Sequence, residues 1–283
     1  MRRPLLNLLV ALAVLLCAPP ASWAINYDMA CVERYSDAGF PESANVSLTC
    51  DATDGFGLWF DVFGGHNRRF YWKNTLVWPR DYTEDSLGGG DQIESDRPGA
   101  NLTVFSGHGS CQNPPGPSSP DFLVTAQPGA ANFVDINASL RLGEFPGSGV
   151  FGSNGNLDTL MINASCPMDL VSLTNEWWAV FQGLHLAMGH SGTSTMDNLD
   201  SDDKLPTVGL YLTGLPFRPA SSYRTAWMSA GLIDVQRGVC AVITATGRTE
   251  AEAVSRRDLE TPTSAIPDAL PATWIAWRWI CRG

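Results

Sequence analysis

Positive charge is scarce in this sequence. It holds 18 Lys and Arg residues against 29 Asp and Glu residues, which gives a formal net charge of −11. A chain this acidic repels a phosphate backbone, so nucleic-acid binding is not expected. Charged residues make up only 17% of the chain and apolar residues 44%. This balance excludes a disordered polyelectrolyte and supplies enough apolar surface for one substantial core.

Long hydrophobic runs are absent beyond the N-terminus. The run from Leu5 to Leu16 follows two arginines and ends in Ser22-Trp23-Ala24, a pattern typical of a cleaved secretory signal. We therefore expect residues 1–24 to be a signal peptide and the mature protein to be secreted or periplasmic. No later stretch approaches the roughly 20 apolar residues that a membrane span needs, so none is expected after cleavage.

The cysteines that remain after removal of the signal are even in number. In an oxidising compartment this predicts disulfides. Proximity in the sequence pairs Cys31 with Cys50 and Cys240 with Cys281, each closing a loop worth about 3 kcal/mol. The other two, Cys111 and Cys166, either form a third bridge or remain thiols.

Two compact apolar runs, Asn101–Phe105 and Leu157–Ile162, each end in small residues. Both are typical of buried parallel strands. The first leads into His108 and the second into Cys166. In an open α/β sheet, ligands and catalytic groups gather at the carboxyl ends of the strands. We expect one α/β domain over residues 101–283, with residues 25–100 as an irregular section packed on it.

A cysteine and a histidine at neighbouring strand ends are candidates for nucleophilic catalysis. The imidazole of His108 would take the proton of the Cys166 thiol and later return it to the leaving group. Gly109 has no side chain to block a substrate carbonyl. Its N–H and that of Cys166 are therefore candidate donors to an oxyanion.

The same stretches resemble the caspase-like cysteine peptidases, which include caspases, legumains, gingipains and clostripain. Leu102–Gly109 is similar to the apolar strand that ends in His-Gly in those enzymes, and Leu160–Cys166 to the following strand that ends in a small residue and Cys. A wider region, residues 78–245, looks like a group of bacterial secreted proteins with this architecture. Ser165, Pro167 and the nearby Cys111 depart from the pattern of active members.

The resemblance implies a single caspase-like three-layer domain with a mostly parallel sheet. It also implies that His108 and Cys166 form a catalytic dyad, that Gly109 belongs to the oxyanion hole, and that the substrate is a peptide or protein. His190, at the end of the next apolar run, would line the specificity pocket or serve as the base in place of His108. Asp197 or Asp200 would favour a basic substrate side chain.

Neither a metal nor a cofactor is predicted, since His66 has no second ligand at a suitable spacing. Two other interpretations stay open beside the peptidase. One is a catalytically inactive secreted module of the same fold that acts by binding. The other is a glycan-binding protein, because the ten Trp residues fit a binding surface as readily as a core.

Overall fold

The computed structural model describes residues 24–38, 45–83, 90, 100–110, 121–123, 133–136, 140, 142, 157–168, 176–192, 203–214, 219–232, 239–264 and 271–281. Its strands are β1 (Asn26–Cys31), β2 (Asn67–Lys73), β3 (Leu102–Ser106), β4 (Gly109–Ser110), β5 (Asp121–Leu123), β6 (Phe133–Asp135), β7 (Thr159–Asn163), β8 (Leu186–Ser191), β9 (Cys240–Gly247) and β10 (Trp274–Cys281). Seven of these form one sheet, and β4, β5 and β6 form a separate antiparallel sheet.

The strand order of the main sheet is β2-β1-β3-β7-β8-β9-β10. The first five strands are parallel, while β9 runs antiparallel to β8 and β10 antiparallel to β9. Every residue of β3 and β7 is buried, as expected of parallel strands that are covered on both faces. The expected α/β class with a mostly parallel sheet is confirmed.

Helices and apolar clusters cover both faces of this sheet. The helices are α1 (Thr49–Leu58), which continues as a π-helix over Trp59–Gly64, α2 (Glu176–Val180), α3 (Lys204–Thr213), α4 (Tyr223–Gly231) and α5 (Glu250–Leu259). Phe105 and Ile162 pack into a cluster that includes residues of α2. Their chain neighbours Val104 and Met161 face the opposite cluster, with α1, α3 and α4. The arrangement therefore has three layers.

The N-terminal section contributes two strands, β1 and β2, to the main sheet. β1 lies between β2 and β3, so residues of this section form part of the sheet itself. Asp28, in the middle of β1, is fully buried and would disfavour a central strand, but Arg69 of β2 lies 3.3 Å from its carboxylate. That ion pair compensates part of the cost of burying the charge.

Both disulfides predicted from proximity are present. Cys31–Cys50 ties the end of β1 to α1, and Cys240–Cys281 ties the start of β9 to the end of β10. Structural disulfides are typical of secreted and periplasmic proteins, so these bridges are compatible with an extracytoplasmic location. Within the described parts of the chain, no helix is long and apolar enough to cross a membrane.

Buried His66 gives folding a specific pH dependence. Its Nδ1 accepts the backbone N–H of Ile25 at 3.3 Å, and burial lowers its pKa from 6.5 to about 4. The unfolded chain therefore binds the proton first as pH falls, and stability is lost between about pH 6.5 and pH 4. Between these two pH values, the free energy of unfolding should fall less for His66→Gln than for the parent protein. Urea unfolding at about pH 6.5 and about pH 4 measures both differences. Equal losses in the two proteins would contradict this assignment.

Candidate functional site

The two strand ends predicted to carry chemistry are neighbours. β3 and β7 pair in parallel as far as Ser106 and Asn163. The side-chain amide of Asn163 donates to Ser106 Oγ at 3.1 Å, and the N–H of Gly107 donates to the Asn163 carbonyl at 3.2 Å. His108 and Cys166 follow within three residues of these contacts, so they leave the same edge of the sheet side by side.

His108 is positioned by Tyr35, a residue that the sequence interpretation missed. The backbone N–H of His108 donates to the Tyr35 hydroxyl at 2.7 Å, and the two rings lie 5.0 Å apart. Tyr35 is fully buried, and burial raises its pKa well above the ordinary value, so the phenol stays neutral. His108 itself is only partly buried, which leaves part of the residue open to solvent.

Gly109 lies in direct contact with the turn that carries Cys166. A Cβ added at Gly109 would overlap the carbonyl oxygen of Ser165 and crowd the rest of its peptide group. Only glycine therefore allows these two chain segments to approach so closely. Gly109 also begins β4, which pairs with Phe122 of β5.

The turn after β7 is fixed by main-chain hydrogen bonds to β8 and the residue beyond it. Cys166 has φ 57°, a left-handed conformation that is uncommon for a residue with a side chain. Its N–H donates to the Gly192 carbonyl at 3.1 Å, and the N–H of Met168 donates to the His190 carbonyl at 3.1 Å. Because the Cys166 N–H is bonded in this way, it is not available as the oxyanion donor that the sequence suggested.

Cys166 is one half of a disulfide. Four other cysteines are paired in the two bridges described above, which leaves Cys17 and Cys111, both outside the described residues. The pairing of Cys166 with Cys111 that the sequence offered as one alternative stays a prediction. A disulfide sulfur carries no thiol proton, and no thiolate can attack a carbonyl. The prediction of Cys166 as a nucleophile therefore does not hold for this oxidised form.

His190 occupies the interior of the protein. Its ring is fully buried, its Nδ1 donates to the Ala164 carbonyl at 3.2 Å, and it packs at 5.1 Å against Trp227 of α4. The Trp227 indole in turn donates to the Gly189 carbonyl at 3.1 Å. The buried His190 ring therefore stabilises the Cys166 turn from the protein interior. Nothing in this arrangement favours a pocket-lining role for His190.

The other predicted substrate-binding residues, Asp197 and Asp200, lie outside the described residues. Their proposed preference for a basic side chain stays a prediction. Among the described segments, no group of three or more His, Cys, Asp or Glu side chains is arranged to hold a metal ion.

Trp177 is the second residue that the sequence did not connect with the site. Its indole is fully buried in α2, and its Nε1 donates to the Pro167 carbonyl at 2.9 Å. It thus holds the turn immediately after Cys166. No local pattern around Trp177 indicates that its indole contacts Pro167, because the contact joins residues ten positions apart.

Comparison with known proteins adds a family. A family model described as a domain of unknown function, DUF6345, matches residues 30–280. No curated protein and no solved structure matches the chain. The match includes β3, β7 and the segments that carry His108, Gly109 and Cys166.

Proposed function

The chain belongs to the DUF6345 family, and we propose that it is an exported caspase-like module that is catalytically silent, with or without the Cys166 bridge, and acts by binding. The observation that carries this proposal is the disulfide at Cys166. It removes the thiol at the position where a caspase-like peptidase has its nucleophile. The hydrogen bond from the Cys166 N–H to Gly192 removes a candidate oxyanion donor as well.

The caspase-like part of the proposal is supported by the arrangement of the sheet. Two adjacent parallel strands end in His-Gly and in a small residue followed by Cys, in the chain order that the resemblance requires. Layers on both faces of the sheet agree with a three-layer domain. Export is supported by the disulfides and by the signal-like pattern of residues 1–24.

A second candidate is a cysteine peptidase that is latent until it is reduced. It is favoured by the contact of Gly109 with Ser165 and by the partial exposure of His108. Two equivalents of an external thiol would be oxidised to a disulfide, and their electrons and protons would convert the Cys166 bridge into two thiols. His108 would take the proton of the Cys166 thiol, the thiolate would attack a peptide carbonyl, and His108 would return the proton to the leaving amine. Water would then hydrolyse the Cys166 thioester to release the carboxylic acid and regenerate the thiol.

Cleavage of a peptide library separates the two candidates. The variant Cys111→Ser leaves Cys166 without its predicted partner and makes a reductant unnecessary, so the other bridges remain intact. If the module is catalytically silent, neither the parent protein nor this variant should cleave more peptide than a Cys111→Ser/Cys166→Ala control.

Cleavage by Cys111→Ser that disappears on adding either Cys166→Ala or His108→Ala would overturn the silent module and establish the latent peptidase. Circular dichroism and intact mass of each variant confirm that the proteins compared are folded and carry the expected number of bridges.

A further inference from the structure

The outermost strand of the sheet carries tryptophans on its surface. Trp274, Trp277 and Trp279 of β10 are 48%, 37% and 47% exposed. Side chains two residues apart share one face of a strand and stand about 7 Å from each other. Trp277 and Trp279 therefore point to the same side of the sheet, and Trp274 points to the other.

The face that presents Trp277 and Trp279 is the one covered by α2. Ile275 shares this face with them, and it packs against the same apolar cluster as Trp177 and Val180 of α2. Ile280, of the opposite parity, packs against the other cluster. The exposed Trp178 of α2 thus lies on the same side of the sheet as the two β10 indoles.

A small cleft lies on this side, between α2 and the segment that leads into β10. Its volume is about 180 Å³, and it is lined by Trp178, Ala179, Phe181, Gln182, Pro271 and Ala272. We call this cleft together with Trp277 and Trp279 the aromatic surface. None of these eight residues carries a charge, although the chain as a whole has a net charge of −11.

The β10 part of the aromatic surface is rigidly supported. β10 pairs with β9 along its whole length, and the Cys240–Cys281 disulfide fixes its end. Arg257 of α5 donates from Nη1 to the Trp277 carbonyl at 3.2 Å, so the middle of this edge strand already has a main-chain partner. Addition of a peptide strand to the edge would have to displace that contact.

We propose that the aromatic surface binds a neutral carbohydrate chain. Flat, exposed indoles offer apolar faces to the C–H faces of sugar rings, and indole N–H groups together with the Gln182 amide supply hydrogen-bonding groups for hydroxyls. The uncharged lining matches an uncharged ligand. A rigid support lowers the entropy lost on binding.

This inference rests on the binding role proposed above and gives that role a ligand class. It uses no residue of the Cys166 turn. Carbohydrate binding and peptidase activity are therefore separate readouts, so the failure of this inference can be told apart from the failure of the proposed function.

Isothermal titration calorimetry of the disulfide-intact protein with soluble neutral hexasaccharides tests the proposal. The probes are β-1,4-linked glucose, α-1,4-linked glucose, β-1,4-linked mannose and β-1,4-linked N-acetylglucosamine hexamers, with a proline-rich decapeptide as the competing class. We expect one of the sugars to bind. The double variant Trp277→Ala/Trp279→Ala should weaken its affinity about tenfold or more, because stacked tryptophans dominate such contacts.

Trp274→Ala is the matched control, since it removes an equally exposed indole from the opposite face of the same strand. It should leave the affinity unchanged. Absence of binding to all four sugars would overturn the proposal. So would sugar binding that the double variant leaves intact, or binding of the proline-rich peptide alone.

Discussion

Replacing Trp177 with alanine is expected to lower the free energy of unfolding by ~3–5 kcal/mol. The indole is fully buried against the cluster between α2 and the sheet, so its removal leaves a large cavity. The change also removes the donor to the Pro167 carbonyl. A buried carbonyl that loses its partner adds to the cost.

Its chain neighbour supplies the control for this prediction. Trp178 is 39% exposed, and Trp178→Ala should change the free energy of unfolding by no more than about 0.5 kcal/mol. Trp177→Phe keeps an aromatic ring but loses the hydrogen bond, and an intermediate loss is expected. Urea unfolding of the three variants with the disulfides intact measures the series. Equal losses for Trp177→Ala and Trp178→Ala would contradict the role assigned to the buried indole.

Replacing Gly109 with alanine is expected to cost at least ~2 kcal/mol of stability and to displace the Cys166 turn. The backbone of Gly109 is not in the left-handed region, so the cost arises from space alone. The new methyl group would overlap the Ser165 carbonyl, and a peptide group cannot rotate aside as a flexible side chain does.

Gly90→Ala is the comparison for this substitution. The nearest atom to a Cβ at that position belongs to the Arg80 side chain, 3.2 Å away, and a smaller loss is expected. Urea unfolding gives the energies, and amide chemical shifts report on the Cys166 turn. Parental stability and unshifted Cys166 and Met168 amides in Gly109→Ala would show that the two segments do not touch as described.

The strands of the site could be predicted from sequence because their signal is local. β3 and β7 follow from apolar runs bounded by small residues, and each lies within a few residues of its expected position. The Cys31–Cys50 and Cys240–Cys281 bridges were likewise found from short sequence separations.

Elements that depend on distant partners could not be predicted in this way. α1 contains two glycines and two aspartates and gives no strong helix signal, yet Phe56 and Ala52 are buried against the sheet. β1 contains Asp28, whose compensating Arg69 lies 41 residues later in the chain. Their place in the structure is decided by tertiary packing.

The candidate site shows the same division. That the strands before His108 and Cys166 are neighbours in the sheet followed from the pattern of two apolar runs. The Tyr35 contact to His108 joins residues 73 positions apart, and the oxidation of Cys166 depends on which sulfur the fold brings near it. Pairing of the last two cysteines was for this reason left open by the sequence.

The central claim is that Cys166 is oxidised in the native protein. Alkylation with iodoacetamide at neutral pH without reductant, followed by proteolysis and mass spectrometry, tests it directly. We expect no label on Cys166 and a disulfide-linked peptide that joins it to Cys111, with full labelling of both only after reduction and unfolding. A native protein in which Cys166 is alkylated without reductant would contradict the account.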